Sequence, residues 1–144
     1  MKVEIFNVCD FATVDMSGKL TMVGVFDRIH AVSAPMAYGT FSLAIRLRFE
    51  NIEEGQKRIK LSFVDSDGQQ IVPSLEANIL VQTPPQESSS TIHFVTTVMQ
   101  LIFPKFGEYA VHLAIDGRQE GSTPVFVRQV IPNQPGLPIP PQSL

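Results

Sequence analysis

Five large apolar residues, Phe41, Leu43, Ile45, Leu47 and Phe49, take every second position of one stretch, with Ser42, Ala44, Arg46 and Arg48 between them. A period of two puts all five on one face of a β-strand, whereas a 3.6-residue helix would scatter them around its circumference. The same period returns at Ile59, Leu61 and Phe63, at Leu75, Ala77, Ile79 and Val81, and at Tyr109, Val111, Leu113 and Ile115. No segment carries a helical period over about ten residues or more. Short alternating runs separated by glycine and proline turns predict an all-β, two-sheet sandwich of about eight strands.

Residues 3–15 and 20–31 read as two long strands joined by Met16-Ser17-Gly18-Lys19. With Ser17-Gly18 as a two-residue turn, Cys9 faces Phe26 and Phe11 faces Gly24, and both faces of the hairpin are rich in apolar side chains. Asp67-Gly68 is a second hairpin signal. Pro73 cannot donate to a ladder, so the strand after it is expected at a sheet edge. Strand 92–102 loses its parity near Gln100, where a bulge is expected. Beyond Val130 the composition changes, and residues 131–144 hold five of the eleven prolines. Two regions follow: a sandwich domain over 1–130 and a proline-rich extended tail over 131–144.

Pro104-Lys105-Phe106-Gly107-Glu108-Tyr109 resembles the tyrosine corner of immunoglobulin-like sandwiches, with Gly107 two residues before Tyr109 at the start of a strand. That resemblance implies an immunoglobulin-like sandwich whose Tyr109 hydroxyl bonds to backbone just upstream. Paired cysteines and a core tryptophan are missing, so the likeness is to the sandwich in general and not to an antibody domain. The run Val8-Cys9-Asp10-Phe11-Ala12, then Gly18-Lys19-Leu20-Thr21-Met22-Val23-Gly24-Val25-Phe26-Asp27-Arg28-Ile29, resembles an uncharacterised bacterial family of short stand-alone β proteins, a domain of unknown function. It implies a fold and a kingdom but no activity.

A net charge of −3 over 144 residues gives no electrostatic reason to expect nucleic acid or an anionic membrane. No apolar run approaches the ~20 residues of a membrane helix. The start of the chain enters a strand pattern at once, without the apolar core of a signal peptide. Cys9, the one cysteine, has no partner for a disulfide within the chain. These features together lead us to expect a cytoplasmic protein.

The chemistry-bearing residues form few constellations. A metal site would need His30, His93 and His112 within about 2.1 Å of one ion. Strands 92–102 and 108–116 are expected in opposite sheets, which keeps His93 and His112 on opposite outer faces, so no metal or cofactor is expected. Asp10 and Asp27 fall diagonally across the expected hairpin, and two carboxylates in reach of each other could share a proton or bind a cation. The plainer reading is that one of them caps a backbone group or meets Arg28, Arg46 or Arg48. Asp65-Ser66-Asp67-Gly68 starts like a calcium loop, with Glu76 at the twelfth position, but strands and not helices flank it. Cys9 reads as a buried structural thiol. Ser88-Ser89-Ser90 lacks the glycine elbow and the positioned base of a serine hydrolase.

These observations lead to a non-enzymatic structural or protein-interaction module, with an enzyme or small-ligand sandwich built on the Asp10/Asp27 face as the alternative. The partner expected is protein, a second copy of the chain included. The surface proposed for it is the outer face of the first hairpin, Phe6, Val8, Val25 and Ile29, with Leu137, Ile139 and Leu144 of the tail laid upon it.

Overall fold

The computed structural model describes residues 1–131; Leu137, Ile139 and Leu144, expected to lie on the hairpin, are outside the described residues. Among the described residues nine strands run in the order β1 (Lys2–Val14), β2 (Leu20–Val25), β3 (Arg28–Ala31), β4 (Met36–Glu50), β5 (Gly55–Val64), β6 (Leu75–Val81), β7 (Ser89–Phe103), β8 (Gly107–Ile115) and β9 (Arg118–Gln129). They form one sheet in the order β2-β1-β4-β7 and another in the order β3-β9-β8-β5-β6. The architecture is the immunoglobulin-like two-sheet sandwich that the alternation predicts. As expected, β6 is an edge strand, and β7 and β8 lie in different sheets.

The alternating apolar residues of β4, β5 and β8 fill the space between the sheets. Phe41, Leu43, Ile45 and Leu47 from one sheet and Ile59, Leu61, Val111 and Leu113 from the other are all at most 2% exposed. Each such side chain contributes about 1.5–3 kcal/mol by leaving water, so this core carries most of the fold's stability. At one end the ring of Phe103 meets that of Tyr109 edge-on, with centroids 5.0 Å apart. There the Tyr109 hydroxyl donates to the Lys105 carbonyl at 2.7 Å and accepts from the Lys105 N–H at 3.3 Å. Gly107, at φ 150°, takes a backbone conformation that suits a residue without Cβ.

The parity slip at Gln100 is present, but no extra residue is inserted. Tyr38 pairs with Leu101 and Thr40 with Met99, so the β4–β7 register is unbroken. Both strands turn over at the same point. Gly39 sits on one strand and Gln100, at φ 55°, on the other. The core face therefore passes from Phe41 and Val98 to Tyr38 and Leu101, three residues along each strand.

Two features of the first hairpin differ from the sequence reading. Its turn is not Ser17-Gly18 alone. The Asp15 carboxylate accepts the N–H groups of Ser17 and Lys19, both at 2.9 Å, and Gly18 takes a left-handed φ of 85°. This three-residue loop makes Asp15 and Lys19 the closing pair. The register moves by one, so that Cys9 faces Val25 and Phe11 faces Val23. Asp65-Ser66-Asp67-Gly68-Gln69 builds the same turn, with Asp65 accepting from Asp67 and Gln69. That accounts for the calcium-like spelling.

The second difference is larger. Residues 20–31 are not one strand: the chain leaves β1 after Phe26, crosses to the other sheet at Asp27, and continues as β3, parallel to β9. Crossing places Ile29 in the main core at 4% exposure, and Val8 is there at 2%. Phe6 is half-buried against the same core. Of the four hairpin residues proposed as an interaction surface, only Val25 faces solvent.

Candidate interaction surface

β1 pairs with β4 only as far as Cys9, and beyond that point its one partner is β2. The hairpin that projects past the sheet does not stand free. Its inner side, Ala12, Leu20 and Met22, packs on Cys9, Ala44 and Val95 over the outer face of the first sheet and makes a second, smaller apolar cluster. Burial, and then the charge of Asp10, push the Cys9 thiol above its ordinary pKa. The thiol stays protonated and unreactive, as a structural cysteine should.

A polar chain fastens the tip. Glu4 is the extra residue of a β-bulge between Val3 and Ile5, and the bulge turns its carboxylate onto the outer face. One oxygen accepts from Arg46 Nε at 2.7 Å and the other from Arg48 Nε at 2.8 Å. Hydrogen bonds from Arg48 and then Arg46 lower the Glu4 pKa from 4.5 to about 2. Arg48 also donates to the Ser89 hydroxyl. Arg46 Nη1 lies 2.9 Å from His93 Nε2, and His93 Nδ1 lies 2.9 Å from the Gly18 carbonyl oxygen. A guanidinium only donates, so Nε2 accepts and the proton sits on Nδ1, which donates to Gly18. His93 is therefore a latch between β7 and the hairpin tip. Neither His93 nor the two arginines is named by sequence motif, because the chain elements that meet here are 75 residues apart.

The outer side of the hairpin carries Phe11 and Val23, cross-strand partners at 56% and 54% exposure, with Val25 at 55% on the same strand. Apolar side chains adjacent on a two-stranded ribbon, held down from below, make a preformed patch and not a floppy loop. The sequence reading named other residues of this hairpin: Phe6 and Val8 lie against the main core between the sheets, and Ile29 crosses to the second sheet beyond Asp27.

The alternative site does not assemble. Asp10 lies over Gly24, whose left-handed φ of 68° and missing Cβ leave room for the carboxylate. Asp27 is three residues further along, roughly 10 Å at the rise of a strand, and its carboxylate contacts Arg28 at 3.9 Å. His30 lies on β3 and His112 on β8, the latter on the outer face of the second sheet. Among the described residues no group of three His, Cys, Asp or Glu side chains could hold a metal. One polar depression that the sequence reading missed is lined by Asp65, Glu108, His112 and Ser122 above Ala110. His112 and Ser122 are cross-strand partners there, yet among the described residues no hydrogen bond joins them to each other or to a carboxylate.

A model described as a family of unknown function (DUF6941) matches residues 4–128. No curated protein matches the chain. Among solved structures, the alkylpurine DNA glycosylase AlkC of Pseudomonas fluorescens, bound to DNA containing an abasic site analog, aligns at 12% identity with a TM-score of 0.50. The alignment covers 88% of this chain and only 30% of that one, and at this identity it shows a shared fold alone. An immunoglobulin-like protein of Pseudomonas aeruginosa aligns at 12% identity over 88% of this chain and 95% of its own, with a TM-score of 0.38.

Proposed function

The chain belongs to the family of unknown function DUF6941, and we propose that it is a non-enzymatic protein-interaction module that associates with a second copy of itself through the outer face of the β1–β2 hairpin. One observation carries this reading: Phe11 and Val23 are cross-strand partners with Val25 further along β2, each more than half exposed, on a ribbon whose tip is bonded to His93. Such a patch loses little ordering entropy on docking because its backbone is already held. β2 is also an edge strand, whose free backbone groups a second β2 could pair.

In this reading Tyr109 and Lys105 form the tyrosine corner that ties β8 to the segment just before it. The setting we propose is a bacterial cytoplasm, which suits a lone buried thiol. No helix among the described residues is long and apolar enough to cross a membrane.

Light scattering on the full chain at rising concentration tests the reading. A mass above 15.9 kDa that returns to 15.9 kDa in Val23→Lys is the expected result. A wild-type mass that stays at 15.9 kDa up to about 100 μM would overturn it.

A further inference from the structure

The second sheet ends in β3, a strand of four residues whose one neighbour among the described residues is β9. The Asp27 carbonyl accepts from the Phe126 N–H at 2.7 Å and the Ala31 carbonyl accepts from the Val130 N–H at 2.9 Å. Backbone groups alternate along a strand paired on one side. The peptide groups of Arg28 and His30 therefore point away from β9, toward the open edge.

The side chains at this edge have a definite sign. Ile29 and its partner Val127 are buried, so Arg28, His30, Phe126 and Arg128 all lie on the outer face. Arg28 places its guanidinium carbon 5.0 Å from the centre of the Phe126 ring and Arg128 places its own at 5.2 Å. One ring thus holds two like charges no more than about 10 Å apart. Their donors are unspent. Arg46 and Arg48 are committed to Glu4, His93 and Ser89. Among the described residues, by contrast, Arg128 has no ion pair, and Arg28 has only the contact with Asp27 at 3.9 Å, too long for a hydrogen bond. Asp27 and the exposed Glu108, the cross-strand partner of Phe126, are the carboxylates nearby in the fold.

We infer that β3 is a docking edge for an extended acidic peptide, which pairs its backbone with Arg28 and His30 and places a carboxylate between Arg28 and Arg128 over Phe126. The free peptide groups select a polypeptide over a nucleic acid, which has no backbone N–H and C=O groups to pair with them. Paired guanidiniums select a carboxylate, which each can take in two parallel hydrogen bonds. The chain's own segment 131–144 holds no aspartate or glutamate side chain. This edge is separate from the hairpin patch, and the inference does not depend on that reading.

Fluorescence anisotropy of the full chain with a labelled peptide tests it. The probe is about nine residues long, with glutamate alternating with valine. The expected result is saturable binding that falls about tenfold or more in Arg28→Gln/Arg128→Gln. Replacing glutamate by lysine, or methylating alternate backbone nitrogens of the probe, should abolish it. Both arginines face solvent, so the variant keeps its fold, and an unchanged circular dichroism spectrum checks this. Equal binding of the glutamate and lysine peptides, binding unaffected by the double substitution, or tighter binding of a single-stranded oligonucleotide would each overturn the inference.

Discussion

His93 Nδ1 lies 2.9 Å from the carbonyl oxygen of Gly18, and this one bond joins the middle of β7 to the tip of the first hairpin. Because Arg46 of β4 occupies the other ring nitrogen, the hairpin tip, β7 at the opposite sheet edge, β4 and β1 form one hydrogen-bonded line that ends at Glu4. The exposed face of the hairpin is therefore rigid through contacts made on its hidden face.

Removing the latch should loosen the tip without unfolding the domain. His93→Ala removes a net contribution of about 1 kcal/mol, and the tip opens more often. Cys9, at 0% exposure beneath it, reports the opening. Its reaction with dithiodipyridine should quicken about fivefold. Equal rates in the two proteins would show that the apolar cluster alone holds the tip.

Acid should weaken the protein through Glu4. Its carboxyl sits at about 2 in the folded chain against 4.5 ordinarily. A depressed carboxylate adds stability that is complete above the unfolded value and is lost as pH falls from 4.5 toward 2. Glu4→Gln should therefore be less stable near pH 7 and show a flatter acid limb over that window. Denaturant midpoints at a series of pH values measure it, and parallel limbs would refute the assignment.

Tyr109→Phe removes both bonds to Lys105 while leaving the contact with Phe103. A loss of about 1–1.5 kcal/mol is expected, read as a lower urea midpoint at unchanged slope. No change in midpoint would mean that water satisfies the hydroxyl equally well.

Gly24→Ala should cost about 1–3 kcal/mol, from a left-handed φ and from collision of the new Cβ with the Asp10 carboxylate. The two causes can be separated. Asp10→Ala combined with Gly24→Ala should recover the collision part and leave about 1 kcal/mol of backbone strain. Strictly additive effects would show that the carboxylate moves aside freely.

Substitutions on the exposed face of the hairpin should behave in the opposite way. Phe11→Ser and Val23→Lys are expected to change stability by less than about 0.5 kcal/mol, while both reduce self-association. A large drop in melting temperature would place these side chains in the fold and not on an interface.

The period-two spacing of β4, β5 and β8 was sufficient to predict the sandwich, because a strand with one apolar face has few ways to leave water and a second sheet is the simplest. Pro73 likewise marked an edge, and Gly107 with Tyr109 marked a corner, since each acts through its own backbone or its immediate neighbours. The first hairpin was legible only in part. Its apolar pattern reads equally well in two registers, and the choice fell to the Asp15 side chain, whose two backbone bonds lengthen the turn by one residue. That single residue decides which side chains face solvent. The crossing at Asp27 is not marked by a glycine or proline, and residues 20–31 are apolar on both faces, so the pattern does not record that their hydrogen-bond partners change from β1 to β9. The latch through His93 and the paired arginines around Phe126 also depend on which strands become neighbours. A linear pattern records the face on which a residue lies, but not what is packed against it.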